Sequence, residues 1–375
     1  MMELNCLCDI YSGYAFKSFN DTSDGIPVIK IGNISSDGTI ELTDCVYTEE
    51  VPKEKYYSKK DDIYIALSGA TTGKIGVMQT DGLYVINQRV GIIRNKGKIP
   101  NDYLKYFLVS KSNQILKEAS GCAQPNISPK QISKYDISIQ TEEKMLLITQ
   151  QLKKIEVILQ NYRNQIDLLD ELVKARFVEL FGDPVYNEKQ WKVEQFGSLG
   201  ELKRGKSKHR PRNDPILLGG KYPLIQTGDI SNSHTYIQTY KSTYSEEGLK
   251  QSKMWKAGTL CITIAANIAE SAILTFDACF PDSIVGFLPN DKVNLIFIHH
   301  WLDFLQPILE ENAPAVAQKN LNVASLEKVG VILPPLELQN QFADFVKEVD
   351  KSKVVSWFPP NLIISLFVSD SKLSG

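Results

Sequence analysis

The chain contains two related halves, and this duplication constrains its fold more than any other feature of the sequence. The decapeptide IPVIKIGNIS at residues 26–35 returns as YPLIQTGDIS at residues 222–231, with Pro, Ile, Gly, Ile and Ser in the same places. Four more pairs keep this order at nearly the same spacing: LCDIYSGYAF (7–16) with LGELKRGKSK (199–208), DDIYIALSGATTGKIG (61–76) with AGTLCITIAANIAESA (257–272), INQRVGIIRN (86–95) with PDSIVGFLPN (281–290), and AQPNI (123–127) with AQKNL (317–321). Landmarks that keep one order along a whole unit indicate a duplicated domain.

Each copy has the pattern of a mixed α/β domain. Short β-like runs such as IPVIKI, DIYIAL, VGII and DISI alternate with Gly, Asn and Asp turns. One helix-like stretch follows in each copy, at residues 103–118 and 297–309. The sequence therefore predicts an α+β protein in which two similar mixed domains are joined by long coiled-coil-type helices.

A heptad pattern follows the first copy. Apolar residues recur at alternating steps of four and three from Met145, and Arg176 is the one polar residue before the pattern ends at Leu180. This rhythm is typical of a coiled-coil seam. The seam comprises Ile148, Leu152, Ile155, Leu159, Tyr162, Ile166, Leu169 and Val173. A helix of about forty residues would be roughly 60 Å long, and FGDP at residues 181–184 supplies its stop.

The second copy leads into a similar but shorter pattern. Phe342, Val346 and Val349 keep the rhythm, Lys353 takes the next core position, and two prolines at residues 359–360 prevent continuation. We therefore expect a first domain at 1–139, a central spacer helix at 140–183, a second domain at 184–334, the start of a second spacer helix at 335–353, and an atypical tail at 354–375.

Composition limits the function classes. The 375 residues are 43% hydrophobic and carry a net charge of −2, as expected for a globular protein. The six cysteines form no CxxC pair and the four histidines lie away from them, so we expect no zinc site and no disulfide framework. The sequence has no signal-peptide pattern, and its late apolar run at residues 362–368 is too short to span a bilayer. A cytoplasmic protein without a membrane partner is predicted.

No motif for covalent chemistry stands out. SGATTGKIG at residues 68–76 resembles a phosphate-binding P-loop, but it has one residue too few before its Gly-Lys pair, and Ile75 replaces the hydroxyl residue that would bind magnesium. A tight turn between two strands fits the residues better. Neither a catalytic triad, a zinc-protease helix nor an amino-methyltransferase motif is found. We therefore predict a binding protein that has no catalytic residues.

The motifs of this sequence resemble those of a known protein family. The ordered motifs of the first copy, the heptad helix ending in ARFVELFGDP, and VILPPLELQNQF at residues 331–342 are similar to those of specificity subunits of type I restriction–modification systems. This resemblance covers about residues 4 to 353. It implies that each domain reads one half of a bipartite double-stranded DNA target and that the helices pair antiparallel as a spacer.

The resemblance also implies the partners. Two methyltransferase subunits would dock on the chain and carry S-adenosylmethionine, and restriction endonuclease/translocase subunits would join them with ATP and magnesium. No cofactor is expected in this chain itself. The tail after Lys353 departs from the family pattern and is similar to a truncated or recombined end, which would leave the seam at residues 159–180 without its partner helix. A recombined, inactive variant is one alternative, and a coiled-coil scaffold that binds only proteins is another.

Candidate DNA contacts lie in the polar turns and in a basic strip. The segment from Lys203 to Lys221 holds many Lys and Arg residues against one Asp, so it is either a phosphate-facing strip or a solvated loop. We expect base reading in the polar turns of both copies. The predicted contacts are Lys17, Ser68, Gly69, Thr71, Thr72, Lys74, Arg89, Gln124, Asn126, Lys206, Lys208, Arg210, Arg212, Asn267, Gln318, Lys319 and Asn320.

Overall fold

The computed structural model describes residues 1–20, 24–119, 125–265, 268–311 and 321–353. These residues form two compact units, one up to Arg163 and the other from Asn164 onwards. The boundary lies within the long helix that follows the first copy of the repeat. Each unit is described here by itself.

The first unit is built from short strands and three short helices before the long one. Its strands are β1 (Met2–Glu3), β2 (Cys8–Ser12), β3 (Ile26–Ile29), β4 (Val46–Thr48), β5 (Ile63–Ala66), β6 (Ile75–Val77), β7 (Val85–Ile86), β8 (Val90–Asn95) and β9 (Asp136–Ile137). Its helices are α1 (Asn101–Ser110), α2 (Ser112–Ala119), α3 (Pro129–Ile132) and the first part of α4 (Glu142–Phe181).

Two sheets organise the core of this unit. One has the order β2-β8-β5-β6 with antiparallel neighbours, and the other has the order β4-β3-β7, while β1 pairs with β9. All four residues of β5 are buried. Ile63 and Ile65 belong to one apolar cluster, and Tyr64 and Ala66 belong to another. Because successive side chains of a strand point to opposite faces, this sheet separates two layers of core.

The second unit has more strands. They are β10 (Lys192–Gln195), β11 (Gly200–Arg204), β12 (Leu218–Leu224), β13 (Tyr236–Ile237), β14 (Ser242–Tyr244), β15 (Met254–Trp255), β16 (Leu260–Thr263), β17 (Ser271–Leu274), β18 (Ala278–Cys279), β19 (Ile284–Pro289) and β20 (Gly330–Leu333). The helices are α5 (Thr227–Ser231), α6 (Glu246–Lys250), α7 (Leu295–Glu311), α8 (Val323–Glu327) and α9 (Leu336–Lys353).

The sheets of the second unit repeat those of the first. The order β11-β19-β16-β17 reproduces β2-β8-β5-β6 with β13 added at its edge, and β14-β12-β18 reproduces β4-β3-β7 with β15 added. The pair β10-β20 corresponds to β1-β9. The predicted duplication and the α+β class are both confirmed.

The helical stretch of the first copy differs from the prediction. Residues 103–118 were expected to form one helix, but the structure has two helices that meet at Lys111. The hydroxyl groups of Ser110 and Ser112 donate to the carbonyl oxygens of Phe107 and Val109, at 2.6 and 2.8 Å. Such local bonds compete with the helical ladder, which explains the interruption.

The forty-residue helix α4 buries its predicted seam unevenly. In the first unit, Met145 and Leu152 are buried. In the second, Val173 is buried, and Phe177 and Phe181, which lie beside the predicted seam, are also buried. The seam residues Ile148, Ile155, Leu159, Ile166 and Leu169 are half-buried, and Tyr162 is exposed.

Helix α9 packs against the second half of α4. The ring of Phe342 meets the rings of Phe177 and Phe181 edge-on, at centroid distances of 5.4 and 5.6 Å, and Lys353 reaches Asp170. Residue numbers rise along α9 as they fall along α4, so the two helices are antiparallel. The expectation that residues 159–180 lack a partner helix is therefore wrong for their C-terminal part, because the 18 residues of α9 extend back to Asp170.

Candidate nucleic-acid interface

The turn between β5 and β6 holds the first group of predicted contacts. Gly69 and Gly73 have φ angles of +87° and +85°, a region that favours glycine. The Thr72 hydroxyl donates to the carbonyl oxygen of Gly69 at 2.6 Å, and the Gly73 amide donates to Ala66 at 2.9 Å. Lys74 leads into β6 and not into a helix. The segment is the predicted tight turn, and its geometry differs from that of a P-loop.

The structure brings this turn together with a second predicted segment. The amide of Gly69 donates to the carbonyl oxygen of Pro125 at 3.2 Å, the Thr72 hydroxyl lies 3.3 Å from the same oxygen, and Ser68 forms a β-bridge with Asn126. Asn126 is exposed, whereas Thr72 is 4% exposed. Asn126 can therefore face a ligand, while Thr72 holds the two segments together.

Arg89 lies beside the same turn. Its carbonyl oxygen accepts a bond from the amide of Leu67 at 2.9 Å, and its side chain is exposed. Lys74 is half-buried and lines a cavity against α1 and α4 instead. Thr71 is half-buried, and its hydroxyl has no bonding partner among the described residues. Lys17 is exposed on another loop, where its amide donates to Glu50 at 2.6 Å.

An aromatic cluster in the first unit was missed by the sequence analysis. The ring of Phe16 lies 4.9 Å from that of Tyr14 and 6.0 Å from that of Phe19, and the Lys30 Nζ atom lies 4.1 Å from the centre of the Phe19 ring. Phe19 is 41% exposed. A comparison of the two copies could have indicated this aromatic cluster, because GYAF in the first copy stands opposite GKSK in the second.

The basic strip of the second unit is partly neutralised. Arg210 and Arg212 both pair with the carboxylate of Asp282, and the Arg204 guanidinium donates to the Asp282 carbonyl oxygen. Arg210 also donates to the carbonyl oxygen of Ser207 at 2.6 Å. Two of the four predicted phosphate contacts thus have a carboxylate partner within the unit.

A group of lysines remains at one end of the strip. Lys206 and Lys208 are exposed, and neither side chain forms an ion pair with any residue that the structure describes. The Nζ atom of Lys253 lies 3.7 Å from the centre of the Trp255 ring. Burial, together with the positive charges of Lys203 and Lys206, lowers the pKa of Lys253. Crowded lysines of this kind form a surface that attracts phosphate.

Five predicted contacts lie outside the described residues: Gln124, Asn267, Gln318, Lys319 and Asn320. Their surroundings repeat the first unit where they are described. The amide of Leu321 donates to the carbonyl oxygen of Ile264 at 2.8 Å, as the amide of Ile127 does to Leu67 at 2.9 Å. Residues 354–375, the predicted tail, also lie outside the described residues.

Comparison with known proteins decides the family. The family described as type I restriction modification DNA specificity domain matches residues 1–174 and 188–354, one match for each copy of the repeat. The chain belongs to this family. It is accordingly a DNA target-recognition subunit of a type I restriction–modification system, and its role in such a system is not catalytic.

Curated relatives cover most of the chain. A protein of Methanocaldococcus jannaschii named "Putative type I restriction enzyme MjaX specificity subunit" is 24% identical over 369 residues, which are 93% of this chain and 86% of the relative. The type I restriction enzyme EcoBI specificity subunit of Escherichia coli is 22% identical over 390 residues, which are 93% of this chain and 78% of the relative.

One solved structure to which the chain is similar is that of an HsdS subunit from Thermoanaerobacter tengcongensis. It is 14% identical, with coverage of 99% of this chain and 95% of that chain and a TM-score of 0.40. A second solved structure, described as the structural basis of complex assembly and conformational transition of the type I restriction–modification system, is 15% identical. The match covers 99% of this chain and 96% of that chain, with a TM-score of 0.48.

Among the helices that the structure describes, none is long and apolar enough to cross a membrane.

Proposed function

We propose that each compact unit of this specificity subunit reads one half of a bipartite double-stranded DNA target. The observation that carries this proposal is a repeated scaffold with different surfaces. The two units share their strand order, but Tyr14 and Phe16 in the first occupy the place of Lys206 and Lys208 in the second. Equal scaffolds with unlike contact residues suit two half-sites of unlike sequence.

In the first unit, base reading is assigned to the turn at Ser68 and Gly69 with Asn126 and Arg89. These residues converge on one place in the fold and combine amide, hydroxyl and guanidinium donors, which suit base edges and phosphates. Thr72 supports the turn from within. Phe19 and Lys30 add an aromatic and a cationic contact.

In the second unit, Lys206 and Lys208 are assigned to phosphates. Arg210 and Arg212 would first have to leave Asp282, so their contribution to DNA affinity should be smaller. We place the recognition domains at 1–139 and 184–334, with α4 and α9 as spacer helices, and we assign the α4 seam to setting the distance between half-sites.

The chemistry is assigned to partner subunits. Methyltransferase subunits would bring S-adenosylmethionine, and endonuclease/translocase subunits would bring ATP and magnesium, so this chain needs no cofactor for the catalytic steps. A cytoplasmic location would give the assembled complex access to DNA.

The decisive experiment is co-expression with a type I methyltransferase subunit from the same genome, followed by methylation mapping of the host DNA. We expect one bipartite methylated motif. Replacing two contacts of the first unit, in the double variant Phe19→Ala and Lys30→Ala, should alter or abolish recognition of one half-site and leave the sequence of the other unchanged. The control is Lys347→Ala, which replaces a surface lysine that pairs with Asp344.

The alternatives predict other results. A coiled-coil scaffold would bind the methyltransferase without any methylated motif and without sequence-dependent DNA affinity. An inactive recombined variant would fold but would fail to bind the methyltransferase. Either result would overturn the proposed function.

A further inference from the structure

The two units contain equivalent cavities whose linings have diverged. The first, of about 340 Å³, is lined by α1, by the turn at Gly73 and Lys74, and by the first part of α4. The second, of about 390 Å³, is lined by α7, by Glu270 and Ser271, and by the second part of α4. Helices α1 and α7 begin at corresponding places in the repeat, so Lys105 and Tyr106 stand opposite His299 and His300.

In the first cavity, residues of the chain itself already occupy the carboxylate that a cation would bind. The Lys105 ammonium donates to both carboxylate oxygens of Glu156, at 2.9 and 3.1 Å, and the Tyr106 hydroxyl donates to the same carboxylate at 2.7 Å. An ammonium group already neutralises the carboxylate here.

The second cavity presents a different set of donors. The His300 Nδ1 and His299 Nε2 atoms lie 3.3 and 3.9 Å from the same oxygen, Oδ2 of Asp303. One ligand atom from each of the three side chains lies within 4.8 Å of the other two. Atoms bound to one tetrahedral zinc ion, with bonds of about 2.0–2.1 Å, lie roughly 3.3 Å apart, so small side-chain rotations would bring the three into range.

The surroundings favour a metal ligand role for His299. Its side chain is 6% exposed, and its Nδ1 atom shares a hydrogen bond of 2.9 Å with the hydroxyl of Ser271. When Nδ1 donates to that hydroxyl, Nε2 presents its lone pair to Asp303. A hydrogen bond behind a ligating imidazole is the usual outer support of a metal site.

We infer that His299, His300 and Asp303 form a site for one divalent transition-metal ion, with Zn²⁺ as the ion best suited to two imidazoles and one carboxylate. Glu270 also lines the cavity and adds negative charge, whereas the carboxylate of Asp170, which lines it as well, is paired with Lys353. The expectation of no zinc site rested on cysteine and histidine spacing alone and did not consider Asp303, which lies one helical turn beyond His299. Three protein ligands would leave a position open to water.

The site can be tested with the full, untagged chain after removal of metal with a chelator. Isothermal titration with Zn²⁺, together with metal analysis after dialysis, should show one ion per chain. Asp303→Asn and His300→Gln should each weaken Zn²⁺ binding by at least about tenfold, since even outer-shell changes cost this much. His209→Gln, which removes an exposed histidine bonded to Asp214, should leave the affinity unchanged.

Two further measurements distinguish a metal site from an ion-paired cluster. Co²⁺ should give visible absorption bands that Asp303→Asn removes, and millimolar Mg²⁺ should not displace Zn²⁺, because magnesium prefers oxygen ligands. Circular dichroism of the metal-free variants verifies that they are folded. If the folded wild-type chain binds no Zn²⁺, the three side chains are only an ion-paired cluster and the inference is wrong. Equal binding by wild type and Asp303→Asn would also overturn it. Neither result would bear on DNA recognition, which the methylation experiment tests separately.

Discussion

The Nζ atom of Lys353 lies 2.6 Å from Oδ1 of Asp170, which joins the last turn of α9 to α4. The Lys353 side chain is 12% exposed, and it also donates to Asp350, one turn earlier in α9, at 3.2 Å. A lysine at the seam position thus finds two carboxylates where an apolar residue would continue the heptad. The position is compatible with helix pairing because its charge is compensated.

Breaking this pair should destabilise the second unit. We expect Lys353→Met to lower the free energy of unfolding by about 1–2 kcal/mol, because it leaves the Asp170 carboxylate partly buried without its main partner. Urea denaturation followed by circular dichroism measures the change. The control is Lys351→Met, since Lys351 pairs with Glu348 on the surface, where both side chains are more than 70% exposed. It should cost less than about 0.5 kcal/mol. Equal losses in the two variants would contradict the structural role of the Lys353 pair.

Lys206 and Lys208 should contribute to DNA affinity through phosphates. In a methyltransferase-bound complex, changing both to Ala should weaken binding to all DNA sequences alike. It should also reduce the slope of log affinity against log salt by about 2, or about 0.9 for each lost contact. Fluorescence anisotropy across a salt series gives this slope.

A matched control carries the same change in net charge. Lys250 and Lys256 belong to the same unit but pair with Glu247 and Asp277, at 2.5 and 2.7 Å. Replacing both with Ala should leave the salt slope nearly unchanged. If the two double variants behave alike, the basic strip is a solvated loop.

Replacing the two neighbouring threonines in the first-unit turn should have different effects on the free energy of unfolding. Thr72→Val keeps the shape but removes the hydroxyl that bonds Gly69 and Pro125, so we expect a loss of about 1 kcal/mol in unfolding free energy. Thr71→Val should be neutral or slightly stabilising, because the Thr71 hydroxyl is buried without a partner among the described residues. Thermal denaturation of both variants tests the pair, and the reverse order would show that Thr72 does not hold the turn.

The length of α4 should set the distance between the two DNA half-sites. Inserting one heptad between Arg163 and Asn164, at the boundary of the two compact units, keeps the seam in phase and lengthens the helix by about 10 Å. We expect roughly three more unread base pairs in the methylated motif, at about 3.4 Å per base pair. The half-sites themselves should stay the same.

A four-residue insertion at the same position is the control. It shifts the seam out of register, so methylation should fall or disappear. An unchanged spacer after the heptad insertion, in a complex that still methylates DNA, would show that α4 does not measure the distance between half-sites.

The sequence by itself determined the architecture. Hydrophobic runs bounded by turn residues placed strands such as β3 and β5, and the four-three rhythm from Met145 placed α4, because these signals depend on neighbouring residues. The duplicated order of motifs predicted two units with the same strand order.

Only the tertiary structure decided which distant backbone segments and side chains meet. Ser68 pairs with Asn126, Arg212 is neutralised by Asp282, and Asp170 meets Lys353, each across a long stretch of chain. Composition and local pattern carry no information about such pairings, since they follow from how the strands register and how α9 folds back on α4. In the sequence, Lys353 interrupts the apolar seam and Arg212 is one cation of a basic strip. Folding places a carboxylate beside each of them, and that carboxylate compensates the positive charge.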